Sequence, residues 1–246
     1  MTSLTTPTAV YITARGYGYT SPAMLSSLLH KGGLDITTVY LLVDGLRDLY
    51  PNLRHTTQHA LNGFATKTIP VRVADIRQLV NRTHNSSAVR RIHEYRKLFA
   101  FAHARRVGEP AALVLDTDML VLGRICLPDT PVAVGTYLGG YVSTGFVYGR
   151  SDSGFDPQPR FVKPTAPALC ELTDNYHIRA ALEGRVARLT ASAYNVVDLA
   201  NLPPSLHNFQ GVVHFGGKVK PWNLHDVPDH DGVRELLRLW RFYGGA

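Results

Sequence analysis

Residues 113–122 read L-V-L-D-T-D-M-L-V-L, an apolar run interrupted by the carboxylates of Asp116 and Asp118. Ionised carboxylates are costly to bury unless a partner compensates them. Two of them at spacing i, i+2, just past the end of a strand, can aim at one hard divalent cation. Residues 214–222 read H-F-G-G-K-V-K-P-W. His214 follows the apolar pair Val212-Val213, and its imidazole can serve as a third ligand. Gly216 and Gly217 let the backbone approach a phosphate, and Lys218 and Lys220 offer cations to a diphosphate. Pro221 and Trp222 stiffen and wall the loop. A lone histidine is usually structural and G-G-K is usually a turn. In this order after D-T-D, they point to a divalent ion and a diphosphate held together.

Such residues need a sheet edge to hold them. Strand patterns cover residues 9–14, 37–43, 67–73, 112–115, 131–137, 142–148 and 211–215, and a short one leads to Ala193-Tyr194-Asn195. Pro70 weakens the third of these. Helix patterns cover residues 23–30, 86–107, 166–183 and 232–243. In the longest, Ile92, Tyr95, Leu98, Phe99 and Ala102 recur every three to four residues, and Gly108 and Pro110 mark its end. Residues 151–163 read as a mobile surface loop. Strands separated by helices predict an α/β fold, a single domain over residues 1–246 with a mixed, mainly parallel, doubly wound sheet flanked by helices. In open α/β sheets ligands bind beyond the carboxyl ends of strands. That places Asp116 and Asp118 at a cleft rather than inside the core.

Two enzyme classes put D-x-D after an apolar strand. A phosphatase of the haloacid-dehalogenase type uses the first Asp as nucleophile. A nucleotide-sugar glycosyltransferase of the GT-A fold uses both for a metal on the donor's diphosphate. The phosphatase arrangement places its motif on an early strand and adds a later lysine and an acidic cluster. Here everything up to residue 115 precedes the motif, and Asp174, Asp198, Asp226, Asp229 and Asp231 stand in unsuitable contexts. H-x-x-G-x-x-K-P-W downstream of a strand-borne D-x-D resembles glycosyltransferase family eight, the glycogenin-like retaining enzymes, and the resemblance extends along most of the chain.

The resemblance implies a GT-A (Rossmann-like) fold and transfer of a hexose, glucose or galactose, from a UDP-sugar with retention. Asp116, Asp118 and His214 would bind Mn²⁺, with Mg²⁺ as the other candidate. Lys97, in Tyr95-Arg-Lys97-Leu98, stands where the family has a lysine on a helix. With Lys220 and the backbone of Gly217 it would serve the diphosphate, while Lys218 reads as solvated. Thr13, Ala14 and Tyr17 fall in the uridine-binding start, with Tyr17 stacking on the base and Tyr19 as the alternative. Thr117 joins the donor-binding set. Ser143-Thr144-Gly145 stands where the family has a turn touching the donor sugar, so Ser143 and Gly145 belong to the same set. Asp174-Asn175 takes the place of a D-Q pair near the reacting carbon, and Tyr194-Asn195 resembles the family's later Y-N. The catalytic candidates are therefore Asp174, Asn175 and Lys97. The chain departs from the pattern at Ala14, Ser143 and Asn175.

With 45% apolar and 18% charged residues among 246, the chain is long enough to bury a full core. No stretch reaches the roughly 18 apolar residues that span a bilayer. The N-terminus lacks the pattern of a signal peptide. Two cysteines make no disulfide framework, so a reducing, cytoplasmic compartment is expected, a host cell's cytoplasm if the chain is viral. The net charge of +7 favours an acidic partner. Arg82, Arg90, Arg91, Arg96, Arg105 and Arg106 cluster near the long helix. Arg234, Arg238 and Arg241 fall at helical spacing opposite Leu236, Leu237 and Trp240. A solvated face explains both groups. An acidic acceptor, such as a hydroxylated base in viral DNA, is the sharper reading. A glycan, a lipid-linked glycan on an anionic membrane and a protein tyrosine are further acceptors. A nucleotide-sugar-binding module without catalysis is the reading from another class.

Overall fold

The computed structural model describes residues 6–13, 20–45, 49, 52–79, 93–125, 127, 131–137, 142–157, 195–197, 202–215, 220–222 and 229–245. Nine strands form one sheet: β1 (Thr8–Thr13), β2 (Ile36–Val43), β3 (Val71–Asp75), β4 (Ala111–Leu115), β5 (Met119–Val121), β6 (Val132–Tyr137), β7 (Val142–Arg150), β8 (Asn195–Val197) and β9 (Val212–His214). Their order is β3-β2-β1-β4-β7-β6-β8-β9-β5. The pairs β3-β2, β2-β1, β1-β4, β6-β8 and β8-β9 are parallel, while β4-β7, β7-β6 and β9-β5 are antiparallel. The sheet is thus mixed and mainly parallel, and the alternating pattern predicts its parallel part.

Alternation along the strands sorts the core into two faces. Val10 and Ile12 of β1 pack with Met24, Leu25 and Leu28 of α1 (Ser21–Lys31) and with Leu53 and Leu61 of α2 (Leu53–Phe64). Ala9 and Tyr11 face the other way, toward Leu98–Phe101 and Ala104. These belong to a 3-10 segment (His93–Phe99) that runs into α3 (Ala100–Val107). Tyr11 stacks on Tyr40 with ring centroids 4.9 Å apart, and its hydroxyl lies 2.9 Å from His103 Nδ1. Burial, helped by the charge of Arg106, lowers His103 to about 4. A third cluster joins Leu120, Val213 and Phe215 to Val233, Leu236 and Trp240 of α4 (Asp231–Phe242).

Several boundaries differ from the sequence expectation. β3 begins after Pro70 rather than at residue 67, because proline has no N–H for the ladder; its carbonyl accepts from Val39 N at 3.0 Å. Within the predicted helix 86–107, residues 93–99 wind as a 3-10 segment. Its tighter turn accompanies an unbroken buried run from residue 96 to 101, which brings Arg96 and Lys97 inside. Arg96, at 1% exposure, is therefore no part of a solvated basic face. Residues 80–92, including Arg82, Arg90 and Arg91, lie outside the described residues, as does the predicted helix 166–183. The predicted loop 151–163 starts as a 3-10 turn (Ser151–Ser153), and Phe155 is buried against Phe101. Residues 158–163 lie outside the described set. Two elements have no counterpart in the sequence reading, α2 and β5. Among the described residues no helix is long and apolar enough to cross a membrane.

The sheet cannot be flat. From β4 to β5 there are five inter-strand steps of about 4.8 Å, roughly 24 Å in a plane. Yet only residues 116–118 join the two strands, a span of roughly 14 Å at full stretch. The β6-β8-β9-β5 portion must bend back, and Asp116-Thr117-Asp118 closes the bend.

Candidate active site

Asp116 comes directly after β4, and its N–H donates to Gly145 O at 2.9 Å, which extends the antiparallel pairing with β7 by one residue. Thr20 Oγ1, one residue before α1, donates to Thr117 O at 3.0 Å. Asp118 O accepts from Phe215 N at 2.9 Å, and Met119 lies opposite His214 in the β5-β9 ladder. Each of the three D-T-D residues is thus pinned by a different partner. Ser27 of α1 fixes the end of β5, since its Oγ accepts from Val121 N at 3.0 Å and donates to Met24 O at 2.8 Å.

The carboxylates of Asp116 and Asp118 and the imidazole of His214 offer ligand atoms that all lie within 4.8 Å of one another. His214 Nε2 is 3.2 Å from Asp118 Oδ1 and 3.7 Å from Asp116 Oδ2. An ion bound at about 2.1 Å from each ligand would hold adjacent ligands roughly 3 Å apart. The spacing and the donor set, two carboxylates and one imidazole, therefore fit a divalent ion of the Mn²⁺ or Mg²⁺ type. Lys97 Nζ lies 3.0 Å from Asp116 Oδ1. Lys220 Nζ donates to Asp118 Oδ2 and to Phe215 O. Both lysines are almost fully buried, as is Asp118, whereas the Asp116 side chain is 28% exposed and forms the open side. Burial raises the Asp118 carboxyl, but the hydrogen bond and charge of His214, and then the ammonium of Lys220, outweigh it and hold the group at about 2.

Gly145 faces this cluster. A Cβ there would sit 2.8 Å from Asp116 Oδ2 and 2.5 Å from Met119 Cε. Ser143, two residues earlier in β7, is buried, and its hydroxyl has no hydrogen-bond partner among the described residues. Thr13 ends β1, the parallel neighbour of β4, so it lies at the same sheet edge as Asp116. Thr117 is buried between the two aspartates. Ala14, Tyr17, Tyr19, Asp174, Asn175, Tyr194, Gly217 and Lys218 lie outside the described residues. The structure thus brings together Lys97, Asp116, Asp118, Gly145, His214 and Lys220 from about half of the sequence. The sequence reading missed Thr20 and Ser27 as supports of D-T-D. A small hydroxyl residue inside an apolar helix stripe was the only signal for Ser27.

The WbbM bifunctional glycosyltransferase in its apo structure superposes with a TM-score of 0.60 at 13% identity, over 95% of this chain and 49% of that one. The apo form of the glycosyltransferase GlyE from Streptococcus pneumoniae TIGR4 superposes with 0.56 at 14% identity, over 97% and 60%. The chain shares their fold. A second GlyE structure gives 0.55 at 13% identity with the same coverage. The chain spans about half to three fifths of the length of these structures. No protein-family model matches the sequence, and no curated protein matches it.

Proposed function

We propose that the chain is a metal-dependent retaining glycosyltransferase of the family-eight type. It would move glucose or galactose from a UDP-sugar to an acceptor hydroxyl. The observation that carries this reading is the convergence of Asp116, Asp118 and His214, with Lys97 and Lys220 on the same carboxylates, at the strand edge of a glycosyltransferase fold. Bound Mn²⁺ or Mg²⁺ would supply Lewis-acid stabilisation of the departing diphosphate. Asp116, Asp118 and His214 would hold that ion. Lys97 and Lys220 would meet the phosphates, with a backbone N–H from Gly217. The Ser143 hydroxyl, without a hydrogen-bond partner among the described residues, supports a donor-sugar contact beside Gly145. Thr13, Ala14, Tyr17 and Thr117 would line the nucleoside side. Asp174, with Asn175 beside it, would face the reacting carbon from below and secure retention.

The proposed acceptor is acidic, a hydroxylated base in DNA. The net charge of +7 supports it, together with the exposed Arg238 and Arg241 of α4. The test is UDP release from UDP-glucose and UDP-galactose with Mn²⁺, repeated with hydroxymethylated DNA, with glycan and with no acceptor. Asp116→Ala and His214→Ala should each abolish metal-dependent release; full activity in either would sink the assignment. Stimulation by DNA should fall steeply as salt rises. No stimulation at low salt would redirect the acceptor to a glycan, a lipid-linked glycan or a protein tyrosine. Binding of UDP-sugar without release under every condition would favour the non-catalytic module.

A further inference from the structure

The lysines and the imidazole divide the carboxylate oxygens between them. Lys97 holds Asp116 Oδ1 and Lys220 holds Asp118 Oδ2. His214 Nε2 faces the remaining two, Asp116 Oδ2 and Asp118 Oδ1. The five groups run as cation, carboxylate, imidazole, carboxylate, cation. The two ammoniums thus balance the two carboxylates. The lysine side chains are only 6% and 9% exposed, which leaves little water to screen them from an ion among the three inner atoms.

We propose that Lys97 and Lys220 are exchangeable counter-ions. While no nucleotide is present they neutralise Asp116 and Asp118, and so oppose the binding of a divalent ion by itself. An arriving diphosphate draws the ammoniums to its own oxygens and frees the carboxylate charge for the ion. Metal and diphosphate then bind cooperatively through the chain's own lysines, and the coupling is reciprocal. A lysine suits this exchange: its ammonium is a compact charge with three donors on a flexible stem. Lys220 also donates to Phe215 O, so it can keep one bond as it leaves Asp118. The proposal rests on the metal and donor reading above.

Mn²⁺ uptake, followed by loss of the free-ion electron paramagnetic resonance signal, tests it without turnover. Wild type, Lys97→Met and Lys220→Met are each titrated with and without UDP. Each variant should bind Mn²⁺ alone about tenfold or more tightly than wild type, within the range of ordinary site-to-site coupling. UDP should raise Mn²⁺ affinity less in the variants than in wild type. In chelator the variants should melt below wild type, because a carboxylate has lost its counter-ion, and Mn²⁺ should raise their Tm by more. The two lysines are tested separately, so one variant that fails to fold leaves the other to decide. If the variants bind Mn²⁺ no more tightly than wild type, the counter-ion role is overturned and the lysines only position the carboxylates. Wild-type uptake of Mn²⁺ with UDP would leave the metal reading standing in that case. If neither Mn²⁺ nor Mg²⁺ binds any of the three proteins, with or without UDP, the metal reading itself fails and takes the counter-ion role with it.

Discussion

Gly145 stands where a methyl group would press on a carboxylate. Its absent side chain leaves room for Asp116 Oδ2 and Met119 Cε, both inside normal contact distance of a Cβ built there. Both atoms end side chains, but neither is free to swing away, because Lys97 holds the Asp116 carboxylate and Met119 is fully buried. Gly145→Ala should therefore turn the Asp116 carboxylate away from His214. Mn²⁺ affinity, and with it the proposed metal-dependent transfer, should fall at least about tenfold, with a loss of stability of about 1–3 kcal/mol typical of overpacking. Equilibrium denaturation separates the two effects, since a purely structural penalty would leave Mn²⁺ affinity intact below the unfolding transition.

At the scale of elements, D-T-D depends on α1 as much as on its own strands. Ser27→Ala would remove the acceptor of Val121 N, a buried donor on β5. Leaving such a group unsatisfied costs about 1–3 kcal/mol, readable as a lower urea midpoint with an unchanged m-value. Because β5 carries Met119 next to Asp118, weaker Mn²⁺ binding should accompany it. The pinning by Thr20 and Ser27 was not legible in the sequence, since a hydroxyl group in an apolar stripe does not name its partner. D-T-D and His214 were legible because each comes at the carboxyl end of an apolar strand. Lys97 was found by resemblance alone; no local pattern says that a 3-10 turn carries it to Asp116. The helix α2 escaped because its buried stripe, Leu53, Thr57 and Leu61, includes a polar residue. β5 escaped because its three residues look like the tail of the run that contains β4.

At the scale of the whole molecule, His103 ties the face opposite α1 and α2 to pH. It is held neutral in the fold with a value near 4, against 6.5 in an unfolded chain. Between these two values the unfolded chain binds more protons, so stability falls as pH drops through that window and is fully present above it. The slope can approach about 1.4 kcal/mol per pH unit for one group. Denaturation midpoints for His103→Gln should be flatter than wild type between pH 6.5 and about 4.5. His103 bonds to Tyr11 rather than to the aspartate cluster, so the variant separates global stability from the chemistry of the site. The mixed order of the sheet was only partly legible: alternating strands and helices foretold the parallel half, but nothing local foretold that β5 returns beside β9.

That return makes the ladder between two three-residue strands an adjustment screw for the cluster. Met119 lies opposite His214, Leu120 opposite Val213 and Val121 opposite Val212. A slip of one residue would carry the imidazole about 3.4 Å along the strand and turn it to the other side of the sheet. Inserting or deleting a residue in 119–121 or 212–213 would thus silence the site without removing any of its ligands. Changes at Leu120, Val213 or Trp240 that shift the packing by less than a residue could retune it gradually. Variants selected only for altered Mn²⁺ affinity should therefore collect at these apolar positions before they reach the aspartates.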